Sequence, residues 1–265
     1  PYSEPSERKF EWLSKTLPQR GDILLYAGCT APLREQAIIK SAVEVFEKSG
    51  IKLAYDRNEQ CCGGILWRIG LWDDAIEVAK RNAETIRSSG AKTLITPCPG
   101  CLQILKKEYP DWGLSLDTEI LHFVEYYAKL IDEGKLKFKE KAKEKKRRVA
   151  WHDPCHLGRA LGIYEEPRKV LENIPGIEVV ELKRSKENAF CCGAGGGAIS
   201  AYPEFTKSTS KDRLLEVIEH DVEILVTECP FCLLAFRRAL DDVTFETGKK
   251  LLITSLSELI LDTLQ

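Results

Sequence analysis

Ten cysteines are the residues of this sequence best suited to chemistry, and they occur in one order twice: a single Cys, a Cys-Cys-Gly and a Cys-x-x-Cys. The first set is Cys29, Cys61, Cys62, Cys98 and Cys101, and the second set is Cys155, Cys191, Cys192, Cys229 and Cys232. Equivalent cysteines are offset by 126 residues at the first position and by 130 or 131 at the other four. An offset this constant indicates an internal duplication.

Five thiols in each set exceed the needs of the common metal sites. A structural zinc site and an ordinary cubane iron–sulfur cluster each take four ligands. The fifth thiol is either free, beside a standard site, or part of an unusually shaped cluster with more ligand positions. Adjacent cysteines favour the second interpretation, because neighbouring side chains reach different irons more easily than one tetrahedral metal. Soft thiolates without a repeated histidine favour iron–sulfur over zinc.

The residues beside the cysteines also favour a cluster. Glycines follow both Cys-Cys pairs, at Gly63-Gly64 and from Gly193 onward. Without side chains, these positions let backbone N–H groups approach sulfur. Pro99 and Pro230 each follow a cysteine and predict the first position of a helix, whose N-terminal dipole favours thiolate.

Short apolar runs alternate with helical segments, which predicts a parallel sheet in each half. The predicted strands are Ile23–Tyr26, Lys52–Tyr55 and Thr93–Thr96 in the first half, and Val149–Trp151, Glu178–Leu182 and Ile224–Thr227 in the second. Leu71–Ser88 and Glu204–Glu219 are the predicted equivalent helices. The expected fold is α/β, with two homologous Rossmann-like subdomains related by a pseudo-twofold axis. Ligands bind at the carboxyl ends of parallel strands, so the cysteines are expected to gather at that edge.

The duplication divides the chain into four predicted parts. These are an N-terminal extension (1–20), a first subdomain (21–134), a basic linker (135–148) and a second subdomain (149–265). The stretch from Gly134 to Arg148 has nine basic and two acidic residues. A solvated connection is the simpler interpretation of this stretch, and a docking patch for an acidic partner is the alternative.

Composition limits the classes of partner and the compartment. With 39 basic and 41 acidic residues, the net charge of −2 gives no indication of nucleic-acid binding. No apolar run approaches the roughly 18 to 20 residues that cross a bilayer, and the first residues lack the pattern of a secretory signal. The expectation is a cytoplasmic protein that meets a membrane only through a partner. Ten cysteines in such a chain argue against a disulfide framework.

The doubled motif resembles the cysteine-rich (CCG) domain family, and within it the catalytic subunits of heterodisulfide reductases. The matching segments are GCT (28–30), CCGG (61–64), CPGC (98–101), HDPCHLGR (152–159), CCGAGGG (191–197) and CPFC (229–232). The resemblance implies that each five-cysteine set binds one noncubane [4Fe-4S] cluster. It also implies that a disulfide, coenzyme M–coenzyme B in the family, is split between the two clusters.

The same resemblance implies partners. Long family members carry a ferredoxin-type domain, so electrons are expected from a ferredoxin-type iron–sulfur subunit or domain. A flavoprotein or a membrane cytochrome subunit is a further partner that the family implies. The substrate would be a small-molecule disulfide.

Four residues near the motifs are candidates for substrate chemistry. His152 and His156 flank Cys155 and titrate near neutrality, so either could donate a proton to a departing thiol. Local hydrogen bonding is the simpler interpretation of both. Arg34 and Arg159 follow the first cysteine of each set and could bind an anionic group on the substrate. Ordinary surface ion pairs are the alternative for these two.

Two other functions agree with the sequence. One is an electron-transfer subunit of a lactate- or glycolate-type oxidoreductase, which would hold clusters but reduce no disulfide. The other is a zinc-stabilised scaffold, which would be colourless and free of iron.

Overall fold

A computed structural model describes residues 11–139 and 146–264, called here the first and second halves. Each half of the described chain contains one four-stranded parallel sheet. The first sheet has β1 (Ile23–Leu25), β2 (Leu53–Ala54), β3 (Thr93–Thr96) and β4 (Glu119–His122), in the order β2-β1-β3-β4. The second has β5 (Arg147–Trp151), β6 (Ile177–Val179), β7 (Ile224–Val226) and β8 (Leu252–Thr254), in the order β6-β5-β7-β8. The repeated order confirms the predicted α/β fold of two Rossmann-like subdomains.

Most buried residues of the central strands are apolar because helices cover both faces of each sheet. Leu24 and Leu25 of β1 and Leu94 of β3 are buried, as is Val149 of β5. Ile23 pairs with Leu53 on one side and with Thr93 on the other. This register aligns the carboxyl ends of the strands, where the cysteine loops begin.

The helices lie between the strands. Those of the first half are Thr30–Arg34, Gln36–Lys48, Gly64–Arg68, Trp72–Ser89, Pro99–Gln103, Tyr109–Asp111 and Phe123–Asp132, with a π-helical turn at Ile104–Glu108. Those of the second half are Gly158–Leu161, Glu165–Asn173, Ala198–Ala201, Pro203–Glu219, Pro230–Thr247 and Leu256–Leu261, with 3₁₀ turns at Lys186–Asn188 and Gly195–Gly197.

The helices Trp72–Ser89 and Pro203–Glu219 were predicted to within one residue at each end. Trp72 of the first of these helices is 59% exposed. It is the first residue of its helix, where the chain has not yet turned over the sheet, and its ring lies 5.9 Å from that of Trp67.

The sheet edges differ most from prediction. Strands β4 and β8 were not predicted from the sequence; each runs directly into a helix. The strand predicted at Glu178–Leu182 lies at Ile177–Val179, where it pairs with Arg147, Arg148 and Val149.

The predicted linker is partly structured. Strand β5 begins at Arg147, so the last two residues of the range 135–148 belong to the second sheet. At the other end, Leu136 is buried and Phe138 pairs with Leu264. These two apolar residues pack the start of the segment against the protein. Residues 140–145 of the linker and 1–10 of the N-terminal extension lie outside the described residues.

Two pairs of helices pack across the boundary between the halves. In each pair, the helix after the last strand of one half contacts the helix before the second strand of the other half. Phe123–Asp132 of the first half packs on Glu165–Asn173 of the second, and Leu256–Leu261 of the second packs on Gln36–Lys48 of the first. This reciprocity is what a twofold relation between duplicated units requires. Glu35, which is buried, forms an ion pair with Arg237 across the same boundary.

Among the described residues, no helix combines the length and the apolar character needed to span a bilayer.

Candidate metal centre

The carboxyl edge of each sheet carries the cysteines, as the strand pattern predicted. Cys29 follows β1 and Cys98 follows β3, while Cys155 and Cys229 follow β5 and β7 in the second half. All ten cysteines are free of disulfide bonds.

The five thiols of the first half form one connected group. The Sγ atoms of Cys29 and Cys61 are 4.0 Å apart, and those of Cys62 and Cys101 are 3.4 Å apart. Thiol contacts also join Cys61 to Cys62 and Cys101 to Cys98. The contacts therefore run from the single cysteine through the adjacent pair to the Cys-x-x-Cys.

The second half repeats this order of contacts. Cys155 contacts Cys191, which contacts Cys192, and Cys192 contacts Cys232, which in turn contacts Cys229. Each predicted set of five is thus gathered in one place. Their role as metal ligands stays a prediction.

Contacts between neighbouring thiols separate their pKa values. Hydrogen bonding from Cys101 and Cys61 lowers the pKa of Cys62 to about 6, although burial opposes the shift. Hydrogen bonding from Cys155 and Cys192 lowers the pKa of Cys191 to about 2. The backbone N–H of Gly193 also donates to Sγ of Cys191 over 3.4 Å. In each group these shifts favour the thiolate of one cysteine, which is the form that binds metals.

The glycine after each Cys-Cys pair has a steric reason. Gly63 and Gly193 adopt φ values of +83° and +78°, in the left-handed region. A Cβ on Gly63 would lie 2.9 Å from the carbonyl oxygen of Ala75, and one on Gly193 would lie 2.8 Å from Cβ of Thr209. Both glycines let the cysteine pair pack closely against the following long helix.

The Cys-x-x-Cys segments each open a helix. Cys98 and Cys229 are the extended residues before Pro99–Gln103 and Pro230–Thr247, with a proline at the start of each helix as predicted. Unpaired N–H groups and the helix dipole favour negative charge at this end. Hydrogen bonding from the Cys101 side chain, and from the backbone N–H groups of Cys101 and Gly100, lowers the pKa of Cys98. Contacts with neighbouring thiols, together with burial, raise the pKa of Cys101 and Cys232.

Thiols of both groups line one cavity between the halves. Its cysteine lining is Cys29, Cys61, Cys62, Cys98 and Cys101 from the first half and Cys155, Cys192, Cys229 and Cys232 from the second. Ile65, Pro99 and Phe231 contribute apolar surface, and Arg68 and His156 contribute polar side chains. A molecule in this cavity would lie between the two sets.

The two predicted proton donors lie in different places. His156 lines the cavity, and a methyl group on Gly100 of the first half would be 3.2 Å from its Nδ1. Burial, and then the charge of Arg68, lowers the pKa of His156 to about 4, so its ring is neutral at pH 7. His152 is outside the cavity lining, 1% exposed, with its ring edge-on to Phe236. Both roles stay predictions.

The two predicted anion-binding arginines are also outside the cavity lining. Arg34 is exposed, and Arg159 donates from Nη1 to the backbone oxygen of Ala189 over 2.8 Å. Arg68 lines the cavity instead, held by hydrogen bonds to Gly64 O and Gln103 Oε1. Its position one helical turn after CCGG is a sequence signal that could have identified it. Substrate binding by Arg34 and Arg159 stays a prediction.

A buried carboxylate holds the loop before the first cysteine of each set. Neither carboxylate was predicted from the sequence. Glu59 accepts hydrogen bonds from the backbone N–H groups of Ala27 and Gly28, each over 2.8 Å. Asp153 instead accepts two hydrogen bonds from Arg168, over 2.8 and 2.9 Å.

These residues fit an iron–sulfur cluster in each half. The donors are soft thiolates in a connected group of five, near a helix N-terminus and a glycine N–H that reaches sulfur. A single tetrahedral zinc would leave one thiol of each group unused.

Comparison with known proteins agrees with the doubled motif. The cysteine-rich domain (CCG) family matches twice, at residues 23–106 and 149–237. The chain is 34% identical to a subunit of the dihydromethanophenazine:CoB–CoM heterodisulfide reductase of Methanosarcina barkeri, over 100% of this chain and 64% of the relative. It is also 34% identical to a subunit of the fumarate reductase (CoM/CoB) of Methanothermobacter marburgensis, over 82% of this chain and 42% of the relative.

The chain thus spans less than two thirds of the length of these curated relatives. Among solved structures, a hypothetical protein from Helicobacter pylori superimposes with a TM-score of 0.61 at 13% identity, covering 99% of this chain and 55% of that one. This likeness shows the fold alone. With two family matches placed on two equivalent sheets and on both cysteine sets, the chain belongs to the cysteine-rich (CCG) domain family.

Proposed function

We propose that this chain is a disulfide reductase of the heterodisulfide reductase type, with one noncubane [4Fe-4S] cluster held by each five-cysteine set. The observation that carries the proposal is the single cavity lined by cysteines of both sets. Splitting a disulfide takes two electrons and separates two sulfur atoms. A substrate between two metal centres can meet one of them with each sulfur.

The protein's own residues would hold and shield the reacting disulfide. When bound, each cluster supplies one electron and an iron that can accept a product sulfur. Ile65, Pro99 and Phe231 exclude water from the cavity wall. His156 is the candidate to pass a proton to a product thiolate, because it is the histidine that lines the cavity; since its ring is neutral, it would first have to take up that proton from solvent.

The proposed substrate is a small-molecule disulfide with an anionic group. Arg68 places a cation at the cavity wall, and its remaining hydrogen-bonding capacity suits a carboxylate, sulfonate or phosphate. Coenzyme M–coenzyme B is the mixed disulfide indicated by the name of the relative in Methanosarcina barkeri. Both of its halves carry negative groups.

Electrons would come from a ferredoxin-type iron–sulfur subunit or domain. Several relatives are named as subunits of larger oxidoreductases, which supports a partner of this kind. A flavoprotein or membrane cytochrome subunit would act further up the electron path. We place the reaction in the cytoplasm.

An electron-transfer role without disulfide chemistry is the second candidate. The chain is 35% identical to the EtfAB:quinone oxidoreductase of Syntrophomonas wolfei, over 86% of this chain and 33% of that protein. A quinone oxidoreductase thus carries a similar domain. In this role the clusters would take up and release electrons, and a disulfide would cause no oxidation.

Anaerobic reconstitution separates these functions. The proposal expects iron and acid-labile sulfide for two four-iron clusters, disulfide-dependent oxidation of a low-potential dye, and a new EPR signal when the disulfide is added. Cluster content without disulfide turnover would support the electron-transfer role. A colourless protein that binds zinc and no iron would contradict both.

A further inference from the structure

The two cysteine sets differ in the residue buried beneath them. Tyr26 and His152 each precede the first cysteine of their set by three residues, and they are 1% exposed. They occupy equivalent positions of the duplicated fold, at the end of the central strand. Their hydrogen-bonding groups are used differently.

The hydroxyl hydrogen of Tyr26 is already used in a hydrogen bond. Its oxygen lies 2.7 Å from the backbone oxygen of Gln60, to which it donates, and it accepts from Nδ2 of Asn82 over 3.1 Å. Burial, and then the charge of nearby Cys62, raises its pKa. The first set therefore lies beside a phenol that has no hydrogen to give to sulfur.

His152 has free hydrogen-bonding groups beneath the second set. Within the described residues, neither of its ring nitrogens has a hydrogen-bond partner. A ring nitrogen and the Sγ atoms of Cys192 and Cys232 all lie within 4.8 Å of one another. Phe236 packs edge-on against the imidazole at 4.7 Å and fixes its plane. A neutral imidazole carries one N–H, and the tautomer with this hydrogen on the nitrogen near Cys192 and Cys232 places a donor toward their sulfur atoms.

A buried arginine lies in the same half as His152. Arg213 is 0% exposed, and its charge is felt at His152. Its Nη1 donates to Glu216, whereas Nε and Nη2 lack partners within the described part of the chain. The equivalent region of the first half has the neutral Asn82. Since Arg213 is paired with Glu216, the difference between the sets that bears on sulfur is the N–H of His152.

We propose that His152 donates an N–H···S hydrogen bond to sulfur of the second cluster, and that this cluster consequently has the more positive reduction potential of the two. The inference rests on the proposed function, since it needs a cluster in each set. A hydrogen bond to cluster sulfur stabilises the reduced, more negative form. An electron entering the chain would settle first on the second cluster.

EPR-monitored redox titration of the reconstituted protein tests the proposal. Wild type should show two midpoint potentials. His152→Phe should lower only the more positive one, by at least about tenfold in the ratio of reduced to oxidised cluster, or about 59 mV for one electron. His152→Gln keeps an N–H donor and should restore most of the difference. Tyr26→Phe is the matched control and should leave both midpoint potentials unchanged.

Two results would overturn the inference: equal potentials in wild type, or a Phe variant in which neither or both potentials move. Pulsed EPR of protein with ¹⁵N-labelled histidine gives an independent readout. A weak nitrogen coupling that His152→Phe removes supports the hydrogen bond, and the strong coupling of an iron-bound nitrogen contradicts it. If the His152→Phe variant binds too little iron for a titration, the nitrogen coupling measured in the wild-type protein decides whether the hydrogen bond exists. Failure of the proposed function would be detected before the titration, because the reconstituted protein would contain too little iron for two four-iron clusters.

Discussion

The two halves hold their cysteines in the same order of contacts but anchor them with unrelated residues. In the first half, the carboxylate of Glu59 accepts the backbone N–H groups before Cys29. In the second half, the position equivalent to Glu59 is Ala189, and the loop is held by Asp153 paired with Arg168. The duplication has kept the sulfur positions while the supporting residues have diverged. What both halves share is therefore the arrangement of the five sulfur atoms that the proposed function assigns to a cluster.

The cavity between the sets is asymmetric as well. Arg68 of the first half corresponds to Ala198 of the second, and His156 of the second corresponds to Thr30 of the first. Neither Arg68 nor His156 therefore has a symmetry-related copy in the cavity. A disulfide with two different halves would bind here in one preferred orientation. This agrees with a mixed disulfide as the proposed substrate.

Removal of one thiol from either half tests whether the two groups are independent. Cys101→Ser and Cys232→Ser, at equivalent positions, should each lower the bound iron by about half, because each group would hold its own cluster. Iron analysis and EPR of the reconstituted variants measure this loss. If either single substitution removed nearly all the iron, the ten cysteines would hold one shared centre, and the comparison of two sites would be wrong.

The different loop anchors should differ in their contribution to stability. Arg168→Ala leaves Asp153 charged and 2% exposed at its side chain, without its cation, which should cost about 3–5 kcal/mol of unfolding free energy. Glu59→Gln keeps one oxygen for the backbone N–H groups and should cost less, about 1–3 kcal/mol. Urea unfolding of both variants measures the two values.

An exposed ion pair provides the control for these measurements. Lys92 and Asp22 are 3.2 Å apart with side chains 78% and 74% exposed, so Lys92→Ala should cost less than about 1 kcal/mol. Equal destabilisation by Arg168→Ala and Glu59→Gln would show that the two halves are anchored with similar strength, despite their different residues.

The sequence was enough to predict what depends on local pattern. The central strands, the two long helices and the gathering of cysteines at the sheet edge follow from apolar periodicity and from the rule that parallel strands end at one edge. Strands β4 and β8 could not be found this way, because each depends on pairing with a neighbour more than on its own pattern. Glu59 and Arg168 were missed for a similar reason, since their partners are distant in sequence.

The same limit explains the arginines. Arg34 and Arg159 were chosen because they follow a cysteine closely along the chain. The helices turn both side chains away from the cavity lining, whereas Arg68 reaches it from one turn beyond the CCGG segment. Distance along the chain is a poor guide to which side of a helix faces a site.

Substitution of the cavity arginine should affect substrate binding more than turnover. Arg68→Ala should raise KM for an anionic disulfide about tenfold, equivalent to about 1.4 kcal/mol, with a smaller change in kcat. Arg34→Ala is the matched control, because this exposed arginine lies outside the cavity lining. Steady-state kinetics with an anionic and a neutral disulfide measure both. A larger KM effect at Arg34 would instead support the role predicted for it from the sequence.

The smallest expected effect concerns a hydrogen bond between the halves that has no symmetry-related copy. The hydroxyl of Tyr127 lies 2.7 Å from Oγ of Ser257, and Ser257 in turn donates to Glu228, just before Cys229. The first half has Pro97 at the position of Glu228, so it cannot make the equivalent contact. Tyr127→Phe removes one buried hydrogen bond and should cost about 1 kcal/mol, or about 2–4 °C in Tm. Since Ser257 keeps its bond to the carboxylate, a much larger loss would mean that this contact fixes how the two cysteine sets face each other.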